Sequence, residues 1–266
     1  MAMYLVVDVG NTHTVTGVYD GDNLIADWRM TSDRKHTADE LALRYNALFA
    51  MQKIPHKELH GIIISSVVPA LQAAWLGCCR RYFSAHLRQD VIVVEVDQIK
   101  DLIHVDLENP KEVGADRLVN SIAAWALNPV KQVVIDFGTA ITFDCLTDNC
   151  TYIGGTILPG IGISLDALSS RTARLPQIDI SSPPENVIGR STVEAMKSGI
   201  LHGYGAMVDG MVHSIRMEMC EPEDDFAVTA TGGMAPLITP YSHCIERVEP
   251  MLTLNGLQEI YRRLAK

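Results

Sequence analysis

Alternating runs of apolar residues and turn residues predict an α/β protein. Three β-branched and apolar runs predict strands at 4–9, 13–19 and 24–30, and the polar D-G-D-N run at 20–23 predicts the tight turn between the last two. The spacing of apolar residues further along the chain predicts a helix at 37–52, a strand at 61–68, a helix at 70–87 and a strand at 91–96.

The same pattern restarts in the second half of the chain. Residues 7–10 (V-D-V-G) align with residues 135–138 (I-D-F-G) at an offset of 128, and a turn follows twelve residues after each aspartate. An internal repeat of this kind indicates two structurally similar halves. The second half is predicted to contain strands at 132–137, 140–146, 151–158 and 226–231, and helices at 162–171, 190–219 (interrupted near Gly203–Gly205) and 254–265.

The repeat predicts two similar α/β domains, residues 1–117 and 118–266, each opening with three strands and continuing with αβ units. Each half places an aspartate, Asp8 or Asp136, where its first strand ends. Ligands collect at the carboxyl ends of strands in open α/β sheets, so we expect the two aspartates on opposite walls of one cleft. Either aspartate alone could simply cap a turn, but the matched context favours a ligand site.

Charge and composition narrow the function classes. With 22 basic and 32 acidic residues the net charge is −10, which argues against a nucleic-acid or anionic-membrane binder. It leaves room for one small anionic substrate in a local pocket. The first ten residues lack the basic segment of a signal peptide, no apolar run approaches a membrane span, and the six cysteines form no C-x-x-C pair. These features predict a cytoplasmic enzyme with reduced thiols.

The D-V-G-N-T run at 8–12 carries the first candidate chemistry. Gly10 lets the backbone approach an anion, and the side chains and N–H groups of Asn11 and Thr12 can hold phosphate oxygens. Asp8 could hold Mg²⁺, directly or through water. The P-loop and Rossmann glycine patterns are missing. Together with the repeat, this run predicts a phosphotransferase that binds ATP.

The G-A-D-R run at 114–117 pairs an acid with a base. Asp116 could accept the proton of an attacking hydroxyl, and Arg117 could clamp a carboxylate or a phosphate. A salt bridge at the start of a helix explains the same residues equally well.

Two glycine-containing runs in the second half are less specific. D-F-G-T at 136–139 shares three letters with a protein-kinase motif, but the other kinase motifs are missing. Gly232 and Gly233 would let a nucleotide base or ribose approach the backbone, although an ordinary turn is equally compatible.

Taken together, the motifs resemble the type III pantothenate kinases, within the acetate and sugar kinase, Hsc70 and actin superfamily. They run in family order through nearly the whole chain: D-V-G-N-T at 8–12, S-S-V-V-P at 65–69, N-P at 109–110, V-G-A-D-R at 113–117, D-F-G-T-A at 136–140, G-G at 154–155, P-G at 159–160, T-A-R-L-P at 172–176 and G-G at 232–233.

The resemblance implies two domains of the actin-like ATPase type flanking a nucleotide cleft. It implies transfer of the γ-phosphate of ATP to the primary hydroxyl of pantothenate, the first step of coenzyme A biosynthesis, by a homodimer. It also implies Mg²⁺ with ATP, and K⁺ or NH₄⁺ at Asp136. The implied catalytic base is Asp116. The implied ligand contacts are Asp8, Val9, Gly10, Asn11, Thr12, His13, Thr14, Val15 and Thr139 for ATP, and Gly114, Ala115, Asp116, Arg117 and Thr192 for pantothenate.

One position departs from the family pattern. Many relatives carry a tyrosine seven residues before the glycine of G-A-D-R, where this chain has Leu107, with Asp106 and Glu108 as neighbours. The departure bears on substrate affinity. Two alternatives stay open: a catalytically silent regulatory homologue, and a kinase of the same superfamily with another acceptor.

Overall fold

Two mixed sheets organise the chain, as seen in a computed structural model that describes residues 3–265. The chain divides into two compact units, residues 3–123 with 252–265, and residues 124–251. The first sheet has the order β3-β2-β1-β4-β5. Its strands are β1 (Met3–Val9), β2 (His13–Asp20), β3 (Asn23–Thr31), β4 (Leu59–Ser66) and β5 (Ile92–Val93).

The strands of the second unit repeat this plan in the order β11-β10-β7-β8-β9. They are β7 (Lys131–Phe137), β8 (Ala140–Leu146), β9 (Thr151–Pro159), β10 (Phe226–Thr231) and β11 (Arg247–Val248), and the two-residue strand β6 (His104–Val105) precedes them. In both units the first three strands are antiparallel and the last two run parallel to the first. The predicted α/β fold with a duplicated three-stranded start is therefore confirmed.

Helices complete each unit. The chain contains α1 (Ala38–Met51), α2 (Pro69–Cys78), α3 (Val96–Ile99), α4 (Ala115–Leu127), α5 (Ile161–Arg171), α6 (Thr192–Met219), α7 (Ala235–Ile238) and α8 (Leu252–Leu264). In the first unit, Leu5, Val7 and Val9 of β1 are fully buried in the same cluster as Tyr45 of α1 and Trp75 of α2. Such burial explains why β1 has no polar residue before Asp8.

Helix α8 belongs to the first unit, although the prediction placed residues 118–266 in one domain. Tyr261 of α8 stacks on Tyr4 of β1 with ring centroids 4.2 Å apart, and the Tyr19 hydroxyl donates to Asn255 Oδ1 at 3.2 Å. Gly61 of β4 lies so close that a Cβ there would stand 1.8 Å from the Tyr261 hydroxyl. The chain passes between the units at 123/124, six residues after the predicted boundary and inside α4.

Three helix predictions need correction. Helix α4 was not predicted, yet Leu118, Val119 and Ile122 form its buried face. In the stretch predicted as one helix at 70–87, the α-helix ends at Cys78, and a π-helical turn and a 3₁₀ turn follow it. Helix α6 runs unbroken through Gly203–Gly205. The glycine at 205 allows close packing instead of a break, since a Cβ there would stand 2.1 Å from the Tyr241 carbonyl oxygen.

Candidate active site

The turn between β1 and β2 presents the D-V-G-N-T run at the carboxyl end of β1. The Gly10 N–H donates to the His13 carbonyl at 3.0 Å, and a Cβ on Gly10 would stand 2.9 Å from that oxygen. Asn11, Thr12 and His13 are exposed. The glycine thus permits a tight turn whose polar side chains face solvent, as a phosphate-binding loop requires.

The rest of the predicted ATP-binding run continues into β2. Val9 and Thr14 are buried and Val15 is half-buried. The Thr14 hydroxyl lies 2.9 Å from the Ser32 hydroxyl, so this side chain joins β2 to the segment after β3. These three residues therefore pack within the sheet on either side of the loop, while Asn11 to His13 form its exposed surface.

The S-S-V-V-P and G-A-D-R runs lie at the same end of the first sheet. Asp8 pairs in register with Ser65 of β4, and the Val67 N–H donates to the Val9 carbonyl at 3.1 Å. A Cβ on Gly114 would lie 3.4 Å from Val67 Cγ1. Val67 therefore links the phosphate-loop candidate to the start of α4, and three motifs far apart in sequence converge at one sheet edge.

Asp116 folds back on the backbone at the start of α4. Its Oδ1 accepts the Arg117 N–H at 2.8 Å, and a Cβ on Gly114 would stand 2.5 Å from the same oxygen. Burial raises the pKa of the Asp116 carboxyl above its usual range, while the Arg117 backbone N–H and guanidinium act to lower that pKa. A partly desolvated carboxylate held in one orientation is suited to accept a proton.

A cavity of about 440 Å³ opens beside this carboxylate's helix, within the first unit. Its size lies in the usual range of about 300–1,000 Å³ for small-molecule sites. The Lys111 ammonium bridges to Asp97 Oδ2 at 3.1 Å among its lining residues. The lining residues are Ser66, Val67, Gln72, Val93, Val94, Glu95, Val96, Asp97, Lys111, Glu112, Val113, Gly114, Ala115 and Leu118. Sequence reasoning missed the stretch 93–97, because its position beside Gly114 depends on tertiary packing.

In the second unit, glycines gather around Asp136. Gly232 has φ +90°, and a Cβ there would stand 2.5 Å from Asp136 Oδ1; a Cβ on Gly138 would stand 3.5 Å from the same oxygen. A Cβ on Gly160 would stand 2.2 Å from the Thr139 carbonyl oxygen. The Asp136 carboxylate and the Thr139 carbonyl therefore leave no room for a side chain at positions 232 and 160, whereas the distance at position 138 is an ordinary contact.

The structure also places three further residues that the sequence singled out. Gly233 is exposed after β10, and Thr192 is exposed as the first residue of α6, whose N-cap Ser191 accepts the Glu194 N–H at 3.2 Å. Leu107 is half-buried between β6 and the turn at 110–112, with exposed acidic neighbours. The predicted site residues thus divide between the units: 8–15 and 114–117 in the first, and Asp136, Thr139, Thr192, Gly232 and Gly233 in the second.

A family profile described as type III pantothenate kinase matches residues 4–214. The chain belongs to this family. It is 52% identical over 264 residues to a type III pantothenate kinase of Desulfotalea psychrophila, covering 99% of each chain. The resemblance inferred from the motifs is confirmed, and with it the prediction of a kinase.

Solved structures show the same fold at low identity. A ROK family glucokinase from Streptomyces griseus, solved with glucose and AMPPNP, matches with a TM-score of 0.55 at 12% identity, over 98% of this chain and 99% of that one. An activator of 2-hydroxyisocaproyl-CoA dehydratase from Clostridium difficile, solved with ADPNP, matches with a TM-score of 0.54 at 12% identity, over 97% and 93%.

Among residues 3–265, no helix has the length and apolar character needed to cross a membrane. Across the same residues, no three His, Cys, Asp or Glu side chains come together as a metal-binding group.

Proposed function

We propose that this chain transfers the γ-phosphoryl group of ATP to the primary hydroxyl of pantothenate, giving 4′-phosphopantothenate and ADP in the first step of coenzyme A biosynthesis. The observation that carries the proposal is a cavity of small-molecule size lined by Gly114 and Ala115, at the end of the sheet that also bears the D-V-G-N-T turn. The next residue, Asp116, is held by the Arg117 N–H. Family membership supplies the substrates.

In this proposal Asp116 is the general base. Its carboxylate takes the proton of the attacking hydroxyl, whose oxygen forms the new bond to the γ-phosphorus while the bond to the β-phosphate oxygen breaks and ADP leaves. The raised pKa of Asp116 makes it a better proton acceptor than an ordinary aspartate. Gly114, Ala115 and Arg117 are proposed pantothenate contacts beside it, and Thr192 is a further proposed pantothenate contact.

The ATP phosphates lie on residues 8–15, where exposed Asn11 and Thr12 donate hydrogen bonds. Thr139, Gly232 and Gly233 are the further proposed nucleotide contacts. Since phosphoryl transfer depends on positioning and charge stabilisation, these contacts are the chain's main contribution besides proton transfer.

Two cations fit the residues present. Asp8 is a hard carboxylate ligand at the phosphate loop, suited to Mg²⁺ directly or through water. Asp136 would hold K⁺ or NH₄⁺ at the carboxyl end of β7, where Gly232 leaves room for its carboxylate. When bound, such cations would neutralise part of the phosphate charge, which is useful in a chain whose own net charge is −10.

The proposal includes a cytoplasmic homodimer. Support for a second copy comes from large apolar side chains exposed on the second unit: Ile157 (64%), Ile163 (49%), Val187 (66%) and Ile188 (83%). Exposed apolar groups of this kind favour an interface.

Coupled ADP release, measured with pantothenate, ATP and Mg²⁺ in K⁺ and again in Na⁺, tests the proposal. We expect turnover that requires both pantothenate and K⁺, and we expect Asp116→Asn to lose turnover while binding ATP normally. Turnover that is equal in Na⁺ would reject the cation role. Folded protein that binds ATP without turning over pantothenate would reject the substrate and point to another acceptor or to a regulatory homologue.

A further inference from the structure

The segment after β3 is joined to the D-V-G-N-T turn by two hydrogen bonds and to the start of β2 by a third. The Ser32 N–H donates to the Thr12 carbonyl at 2.9 Å, and the Ser32 and Thr14 hydroxyls lie 2.9 Å apart. Arg34 Nη2 donates to Asn11 Oδ1 at 3.2 Å. All five residues belong to the first unit, so the turn packs beside a second segment that the motif alone does not reveal.

The position of Arg34 is itself fixed by local structure. Asp33 accepts the Lys35 N–H on its side chain at 2.9 Å and the His36 N–H on its carbonyl at 3.0 Å, which closes a turn around Arg34. Directly afterwards, Thr37 and Glu40 form a capping box that starts α1. Arg34 therefore projects from a short turn held at both ends, by Ser32 on one side and by the helix cap on the other.

The chemistry of the contact sets the orientation of the Asn11 side chain. A guanidinium carries only donors, so the atom of Asn11 that faces Arg34 must be the carbonyl oxygen Oδ1. The amide nitrogen Nδ2, with its two N–H donors, is then turned away from Arg34. A fully ionised phosphate only accepts hydrogen bonds, so this is the orientation that an ATP-binding asparagine needs.

We infer that Arg34 is a positioning residue for ATP, which acts by holding the Asn11 amide with its N–H groups available to the phosphate oxygens. The inference rests on the proposed placement of ATP phosphates on residues 8–15. It adds a residue outside the motif, and it gives the arginine a role that Lys35, equally exposed next to it, does not share.

Nucleotide binding by the whole chain tests the inference, with calorimetric titration of AMPPNP and of adenosine. We expect Arg34→Ala to weaken AMPPNP binding about tenfold, as for loss of a well-placed hydrogen bond to a charged group, and to leave adenosine binding within twofold. Arg34→Lys, which keeps a hydrogen-bond donor, should bind AMPPNP with an affinity within threefold of that of the wild-type protein. Lys35→Ala is the matched control and should bind both ligands normally.

A double variant shows whether Arg34 acts through Asn11. If it does, Asn11→Ala with Arg34→Ala should bind AMPPNP no more weakly than Asn11→Ala alone. Full additivity of the two losses, an equal loss for adenosine, normal AMPPNP binding by Arg34→Ala, or an original chain that does not bind AMPPNP would each overturn the inference. Failure of pantothenate-dependent ADP release, with these binding results intact, would overturn the proposed function and leave the role of Arg34 standing.

Discussion

Gly114 allows the sharpest test of how Asp116 is placed. Its backbone φ is not in the left-handed region, so alanine can adopt the same conformation without backbone strain. The only close contact of an added Cβ is with Asp116 Oδ1 at 2.5 Å; the next, to Val67 Cγ1 at 3.4 Å, is an ordinary one. Among the chain's own groups, Gly114→Ala therefore perturbs mainly the Asp116 carboxylate, and it adds one methyl group to the lining of the cavity.

The size of the effect follows from these distances. The contact must open from 2.5 Å to at least 3.4 Å, which moves the carboxylate oxygen by about 0.9 Å and breaks its 2.8 Å hydrogen bond to the Arg117 N–H. A misplacement of about 1 Å can cost about a hundredfold in rate. We expect Gly114→Ala to lose roughly that factor in kcat, with little change in thermal stability because a flexible side chain can move aside.

The assay is steady-state ADP release, with thermal unfolding of each variant. Gly199→Ala is the matched control, since a Cβ on this glycine of α6 meets no atom within 4 Å and alanine favours a helix. It should keep its kcat and gain slightly in Tm. A Gly114→Ala variant with kcat within threefold of the unchanged chain would refute the assigned position of Asp116; a large fall in Tm would show that the glycine serves packing.

Three further outcomes are expected. Gly232→Ala should remove the response of activity to K⁺, because the new Cβ would stand 2.5 Å from Asp136 Oδ1 and φ is +90°; a normal K⁺ titration would contradict this. Since Asp116 must be ionised and its pKa is raised, kcat/KM should fall on the acid side at a higher pH than for an ordinary aspartate, and a profile flat down to pH ~4 would contradict its role as base. Gly61→Ala should lower the free energy of unfolding in urea by about 1–3 kcal/mol, because the new Cβ would stand 1.8 Å from the Tyr261 hydroxyl. When Gly61→Ala is introduced into a Tyr261→Ala protein, its additional cost should be far smaller; an equal cost in both backgrounds would refute the contact.

The strands and their duplication could be predicted because buried strands leave a strong local pattern. Val7 to Gly10 and Ile135 to Gly138 repeat the same apolar run, aspartate and glycine, and both runs become the central strand of a sheet with the same strand order. The turn at Gly10 was equally visible, since its chemistry is local.

Features that depend on packing between distant residues leave no local pattern and could not be predicted from the sequence. The acidic first-turn residue of helix α4 is Asp116, which the sequence alone explains equally well as a catalytic group or as part of a salt bridge at a helix start. Gly205 suggested a break because its true role, contact with the Tyr241 carbonyl, involves a residue 36 positions later. Arg34 gave only a weak signal, a basic residue just before a helix cap, and its contact with Asn11 emerges only from the pairing of β2 with β3.

The placement of α8 has a consequence for how the chain matures on the ribosome. The second unit is continuous, from 124 to 251, whereas the first is assembled from both ends of the chain. During synthesis, β1 and β4 are made well before Tyr261 and its neighbours, on which they pack. The later half in sequence is thus complete before the earlier one, which reverses the usual N-terminal-first order. A stop codon that removes α8 would leave the apolar surface of the nascent N-terminal sheet open to aggregation and proteases.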